Sequence, residues 1–265
     1  MARSVMTRDW RSMARVGSSM VGSRLLGREA RIDLARRTPW DRVYHFHVRK
    51  SAGTSLNYGF FALGGEDPHA VEERLVRSHF TLSHGYGFVS NHNRLIESGR
   101  YVFATSHKPY WALDLPPRTY TITVLRDPVQ RVLSLYHYLS APTSDDGYAF
   151  AASSGERRLA AHGIDRFLDE IPTRLLLNQV RMFSSSCHVE EAATVVRSLS
   201  CVIGTDTFDA QVGRLGETLG LDLPVRRERS TGATRRPVPP SVIQRLQEMV
   251  RPEYAFLALV SDRSD

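Results

Sequence analysis

Short β-prone runs alternate with longer stretches of helical periodicity along this chain. Residues 43–48 (VYHFHV) form the first run, and further strands are predicted at 101–105 (YVFAT), 120–125 (YTITVL) and 199–203 (LSCVI). Apolar positions at helical spacing predict helices over 129–139, 164–168, 174–183, 208–219 and 242–250, with Pro252 read as closing the last. Between the first strand and a helical pattern carried by Leu56, Phe60 and Leu63 lies a polar stretch at 49–54, and Gly64 and Gly65 end that helix. Strands separated by helix-length segments imply a parallel sheet, so the expected fold class is α/β with three layers, a central parallel sheet flanked by helices.

With 265 residues, 42% of them hydrophobic, the chain can build one large core. The organisation read from it is a basic leader over 1–42, helical or partly disordered, followed by one domain over 43–265. Small and polar residues at 141–156 predict a surface loop or lid, and 226–240, with five arginines against Glu228, predicts another. No run reaches the roughly 18 apolar residues of a membrane span, and the N-terminus lacks the apolar block of a secretory signal, so a cytoplasmic chain is expected. Cys187 and Cys201 are too few for a disulfide scaffold and lack metal-ligand spacing; both read as structural thiols in a reducing compartment.

The formal charge of +7 is local: residues 1–42 hold ten arginines against Asp9, Glu29, Asp33 and Asp41. Such a leader is either a solvated arm or a contact for an anionic surface such as lipid, nucleic acid or an acidic polymer. Of 35 basic residues only Lys50 and Lys108 are lysine, in a chain that otherwise uses arginine throughout. A compact charge on a flexible stem is what lysine offers and arginine does not.

Lys50 opens the segment Lys50-Ser51-Ala52-Gly53-Thr54-Ser55, placed where a strand hands over to a helix. Backbone N–H groups and the positive end of a helix dipole meet there, which suits phosphate. Gly53 permits close backbone approach, Thr54 and Ser55 add hydroxyls, and Lys50 supplies a charge for a leaving oxygen. An ordinary N-capped turn would look similar. No GxxxxGK[ST] is present and the lysine precedes the glycine, which weakens a kinase or NTPase reading.

A second crossover follows the strand at 120–125. Asp127 is a good N-cap, Pro128 suits the first helical position, and Ser134 returns almost two turns later to the face near Arg126. A guanidinium and a hydroxyl could converge there on one anion, or Arg126 could simply pair with a neighbour. Ten histidines offer candidate bases. His107 is the best placed, at the C-terminal end of a strand where open α/β sheets bind ligands; His79 and His84 are weaker, and His45 and His47 share one side of the first strand.

The segment HVRKSAGTSL at 47–56 resembles the HxPKTGGTSL loop of carbohydrate-type sulfotransferases, with Arg49 in place of proline, and LRDPVQRVLSLYHYL at 125–139 resembles their second signature, LRDPxxRxxSxY. Ser106 to Tyr110 is similar to their GHxPY-like segment, Gln179 and Arg181 in LLNQVRMFS to a helical motif lining the cleft, and VIGTDTFD to VGxTExFD with Asp206 for glutamate. The likeness covers roughly residues 43–260. It implies a P-loop-type sulfotransferase domain that moves a sulfuryl group from PAPS, leaving PAP, to a hydroxyl acceptor, with a saccharide or glycolipid favoured. It implies that residues Lys50, Ser51, Ala52, Gly53, Thr54 and Ser55 grip the 5′-phosphosulfate and that Arg126 and Ser134 hold the 3′-phosphate. Lys50 and His107 are then the catalytic pair, His107 serving as base or as an acceptor or phosphate contact, with Lys108, Gln179 and Arg181 on the acceptor side. No metal is required on this reading and no nucleic-acid partner is expected; the leader could touch a membrane periphery. The alternatives are a P-loop kinase or NTPase, and a non-enzymatic polyanion-binding module. The sequence sets no oligomeric state.

Overall fold

Alternation along the first strand sends Val43 to one face of a sheet and Tyr44 and Phe46 to the other, and all three are fully buried. A strand apolar on both faces belongs at the centre of a covered parallel sheet. In the computed structural model, which describes residues 34, 38–141, 154–226 and 237–262, that strand, β1 (Arg42–Phe46), does lie in the middle of six.

The other elements follow in chain order. Helices α1 (Gly53–Phe61) and α2 (Pro68–Ser78) precede a hairpin of β2 (Phe80–Ser83) and β3 (Tyr86–Ser90). Helix α3 (Asn93–Glu97), strand β4 (Phe103–Ser106) and strand β5 (Thr119–Leu125) come next, then α4 (Pro128–Ser140). Four short helices follow: α5 (Ser154–Ala160), α6 (Ile164–Glu170), α7 (Thr173–Leu176) and α8 (Asn178–Phe183). Helix α9 (Val189–Ser198) leads into β6 (Cys201–Gly204), and α10 (Phe208–Leu219), α11 (Pro240–Met249) and α12 (Arg251–Ser261) complete the described chain.

The sheet order is β2-β3-β4-β1-β5-β6, parallel throughout except for the antiparallel β2–β3 pair at one edge. One face carries α1, α2 and α10, whose Leu56, Phe60, Leu75 and Leu215 pack with Val43, Phe103 and Ile122. The opposite face carries α8, α9 and α12, whose Val180, Val196 and Phe256 pack with Tyr44, Phe46 and Ala104. A third apolar cluster joins α4, α6 and α11 beside the sheet. The protein is therefore a three-layer α/β fold with a mostly parallel sheet.

Four sequence readings need amendment. The hairpin β2–β3 was not anticipated. The helix expected over 174–183 is two, because Leu177 leaves helical geometry at φ −106°, ψ 43°. Pro252 does not close a helix: it stands in the first turn of α12, where its missing N–H has no partner to lose. The core also reaches into the expected leader, since Leu34 is buried in the first cluster, Trp40 packs on it, and Arg42 already belongs to β1. The rest of the leader, most of the loop at 141–156 and most of that at 226–240 lie outside the described residues. Among the described residues no helix is long and apolar enough to cross a membrane. Both cysteines are half-buried thiols, and burial pushes the Cys187 thiol up.

Candidate active site

With β1 flanked by β4 on one side and β5 on the other, successive crossovers leave the centre of the sheet in opposite directions. That arrangement opens a crevice beyond the strands' C-terminal ends. A cleft of about 480 Å³ lies there, within the range of small-molecule sites. The segments following β1, β4, β5 and β6 all line it, as do residues of α1, α2 and α4.

The loop after β1 contributes Lys50, Ala52, Gly53, Thr54 and Ser55 to the lining. Lys50 and Ala52 take left-handed backbone, φ 66° and 58°, conformations that non-glycine residues adopt at a cost of about 1 kcal/mol or more. Ala52 is the N-cap of α1, and no side chain caps that helix start. Ser55 N–H donates back to the Ala52 carbonyl at 3.0 Å, which leaves the amides of Gly53 and Thr54 for water or a ligand at the positive end of the dipole. Ser51 is fully buried outside the lining, and its Oγ has no hydrogen-bond partner among the described residues. Gly53 is fixed by close approach: a Cβ there would enter the His47 ring and come within 2.8 Å of His45 Cε1.

The crossover after β5 contributes Arg126, Asp127, Gln130, Ser134 and Tyr138. Asp127 caps α4 by accepting the Gln130 N–H at 2.8 Å, and Pro128 follows it in the first turn. The spacing 130, 134, 138 then puts three polar groups on one stripe facing the cleft. Arg126 Nη1 donates to the Lys50 carbonyl at 3.1 Å, and Lys50 Nζ sits 4.3 Å from the centre of the Tyr138 ring. The two crossovers are thereby joined at both the backbone and the side chain of Lys50.

His107 follows β4 and is half-buried at the cleft wall. Its backbone N–H donates to Asn91 Oδ1 at 3.2 Å, and its Nδ1 donates to the His47 carbonyl at 2.7 Å. Because a carbonyl can only accept, Nδ1 carries the proton and Nε2 is left as the basic nitrogen. Burial pushes the imidazole down to about 4, against the opposing pull of the His47 carbonyl, so the ring is neutral near pH 7. Its ring centre lies 4.4 Å from that of His47, which stacks at 5.1 Å on His45. His45 is fully buried, donates from Nδ1 to Asn57 Oδ1 at 2.8 Å, and is also pushed down to about 4 by burial.

Three residues expected on the acceptor side lie outside the cleft lining. Lys108 is exposed, and its backbone N–H donates to Ser106 Oγ at 3.1 Å. Arg181 stacks over exposed Trp111, 4.4 Å from the ring centre. Gln179 is fully buried and holds the backbone of Arg126. Neither His79 nor His84 lines the cleft.

Sequence reasoning missed Arg49's role. Its guanidinium pairs with Glu156 through contacts of 2.7 and 3.2 Å, and its backbone N–H donates to Asn178 Oδ1 at 3.1 Å. A proline at this position could make neither set of contacts. Glu72 and Arg226 also line the cleft, distant in sequence and outside any motif, whereas Asp206 and Asp209 reach the lining from the VIGTDTFD segment. The i, i+4 spacing that adds Tyr138 to Ser134 was a further legible signal. Among the described residues no group of three or more His, Cys, Asp or Glu side chains is arranged to hold a metal. Scans of the chain against protein-family models and against curated proteins returned no match.

Proposed function

We propose that this protein transfers a sulfuryl group from PAPS to the hydroxyl of an acceptor, with a saccharide or glycolipid favoured on the sequence resemblance. The observation that supports the reading is the convergence of two strand-to-helix crossovers, each bearing a basic side chain, on one cleft that also contains a neutral histidine: Lys50 and the uncapped start of α1 on one side, Arg126 and Ser134 on the other. Two separated cationic cradles suit a nucleotide with phosphates at both ends of its ribose, which ATP lacks and PAPS has.

The donor set fits such a group: Lys50 and residues 52–55 would hold the 5′-phosphosulfate, with Ser51 buried behind them, and Arg126 and Ser134 the 3′-phosphate. PAPS would supply an activated sulfuryl group, its transfer leaving PAP. The protein's own residues do the rest. His107 Nε2 accepts the proton of the acceptor hydroxyl, while the His47 carbonyl holds the ring in the correct tautomer. Lys50 and the first-turn amides of α1 stabilise negative charge at the leaving oxygen, and as preorganised donors they need little rearrangement.

The test has two arms. PAP should raise the melting temperature, whereas ATP with magnesium should do so less; the reverse order would favour a kinase or NTPase. Labelled PAPS should be turned over with an acceptor panel, and Lys50→Ala and His107→Ala should each lower turnover by about 100-fold or more. Full activity in both variants would remove these roles.

A further inference from the structure

We infer that Gln179 and Glu253 are positioning residues for the anion site, acting through the backbone of Arg126. This rests on the reading of Arg126 as a phosphate contact. The carboxamide of Gln179 clasps both main-chain groups of Arg126: Oε1 accepts its N–H at 2.8 Å and Nε2 donates to its carbonyl at 3.0 Å. Arg126 sits between the last residue of β5 and the N-cap of α4, so neither ladder nor helix bonds would otherwise fix it there.

Gln179 is itself held from below. Glu253 Oε1 accepts the Gln179 backbone N–H at 2.7 Å and Oε2 accepts from Gln179 Nε2 at 3.0 Å. That second bond decides which way the carboxamide faces, because a flipped amide would put oxygen against carboxylate. Glu253 is in turn paired with Arg131, whose Nε lies 3.2 Å from Oε2; both side chains are wholly buried. Arg131 also donates to the carbonyls of Leu175 and Leu176, just before the helix break that presents Gln179. The next residue of α12 adds a second tie, since the Tyr254 hydroxyl donates to Asp127 Oδ2 at 2.9 Å. Helix α12 thus anchors two consecutive residues of the crossover without any of its own side chains lining the cleft.

The nucleotide pair that isolates this effect is PAP against adenosine 5′-phosphate, which differ only in the 3′-phosphate. Affinities measured by calorimetry on the full chain should show that wild type prefers PAP and that Arg126→Ala loses the preference. Gln179→Met, which keeps volume but not the clasp, should lower the PAP preference about tenfold while leaving adenosine 5′-phosphate within about twofold. Gln179→Glu, which cannot donate to the Arg126 carbonyl, should move the same way. Equal weakening of both nucleotides, or an unchanged preference, overturns the inference; so does failure of both variants to fold at low temperature, which would make Gln179 a fold residue only. A wild type without any PAP preference would instead defeat the functional reading itself.

Discussion

His107 is defined chemically by the partner of its Nδ1. The His47 carbonyl keeps that nitrogen protonated, and burial keeps the ring neutral down to about pH 4, well below the ordinary histidine value of 6.5. On the proposed function His107 is the base, and a base must be unprotonated to act, so kcat/KM for the acceptor should stay level as pH falls from 8 to 5 and decline only as pH approaches about 4. A midpoint near 6.5 that disappears in His107→Gln would show that the ring titrates as a solvated histidine and would contradict the geometry described. The sequence could nominate His107 from its place after a strand, but not its tautomer, which depends on a carbonyl 60 residues away. Gly53 was read as a glycine that lets the backbone approach a phosphate closely; that the His45 and His47 rings are what leave no room for a Cβ there required the fold.

Helix α4 shows how far an element can be read in advance. Its cap and its opening proline follow from local spacing and both hold, and Ser134 lines the same cleft as Arg126. Asp127 carries a double load there, accepting from Gln130 N–H and from the Tyr254 hydroxyl. Asp127→Ala should therefore destabilise the protein by about 1–2 kcal/mol in urea unfolding, and Asp127→Asn, which can still cap, by clearly less. Equal losses in the two variants would assign the effect to charge rather than to capping. Elements whose signal is tertiary were not legible. The stretch at 80–90 carries its hairpin turn at His84 and Gly85, both at positive φ, and received no assignment from the apolar pattern. The break at Leu177 is likewise invisible in the apolar pattern; it lets Asn178 reach the Arg49 backbone and sets Gln179 at the start of a new helix, where Glu253 meets its N–H.

Over the whole molecule, the central strand contains a group that makes the fold sensitive to acid. His45 is buried and held down to about 4 in the folded state, against 6.5 when solvated. The unfolded chain therefore binds the proton first, so stability present above pH 6.5 is lost as pH falls toward 4. At pH 5.0 this single ring accounts for a loss of about 2 kcal/mol relative to pH 7.5. Urea unfolding at the two pH values checks the sign, and His45→Gln should reduce the dependence by about that amount, leaving the share of His107, which burial also pushes down to about 4; a dependence unchanged by His45→Gln would rule out a neutral buried His45. The fold class was legible because a parallel sheet needs only strands and helix-length spacers, whereas the cleft's full wall was not, because it gathers residues from 47 to 226.

The dependence of Arg126 on Glu253 also bears on biosynthesis. A ribosome delivers β1, β4, β5 and β6 well before residue 253 emerges, so a nascent chain can form its sheet while the crossover at 126 still lacks its support. A fragment ending at Met249 would hold all six described strands yet leave the Gln179 clasp on that arginine without its carboxylate brace, so on the proposed function full anion capture would await the emergence of residue 253.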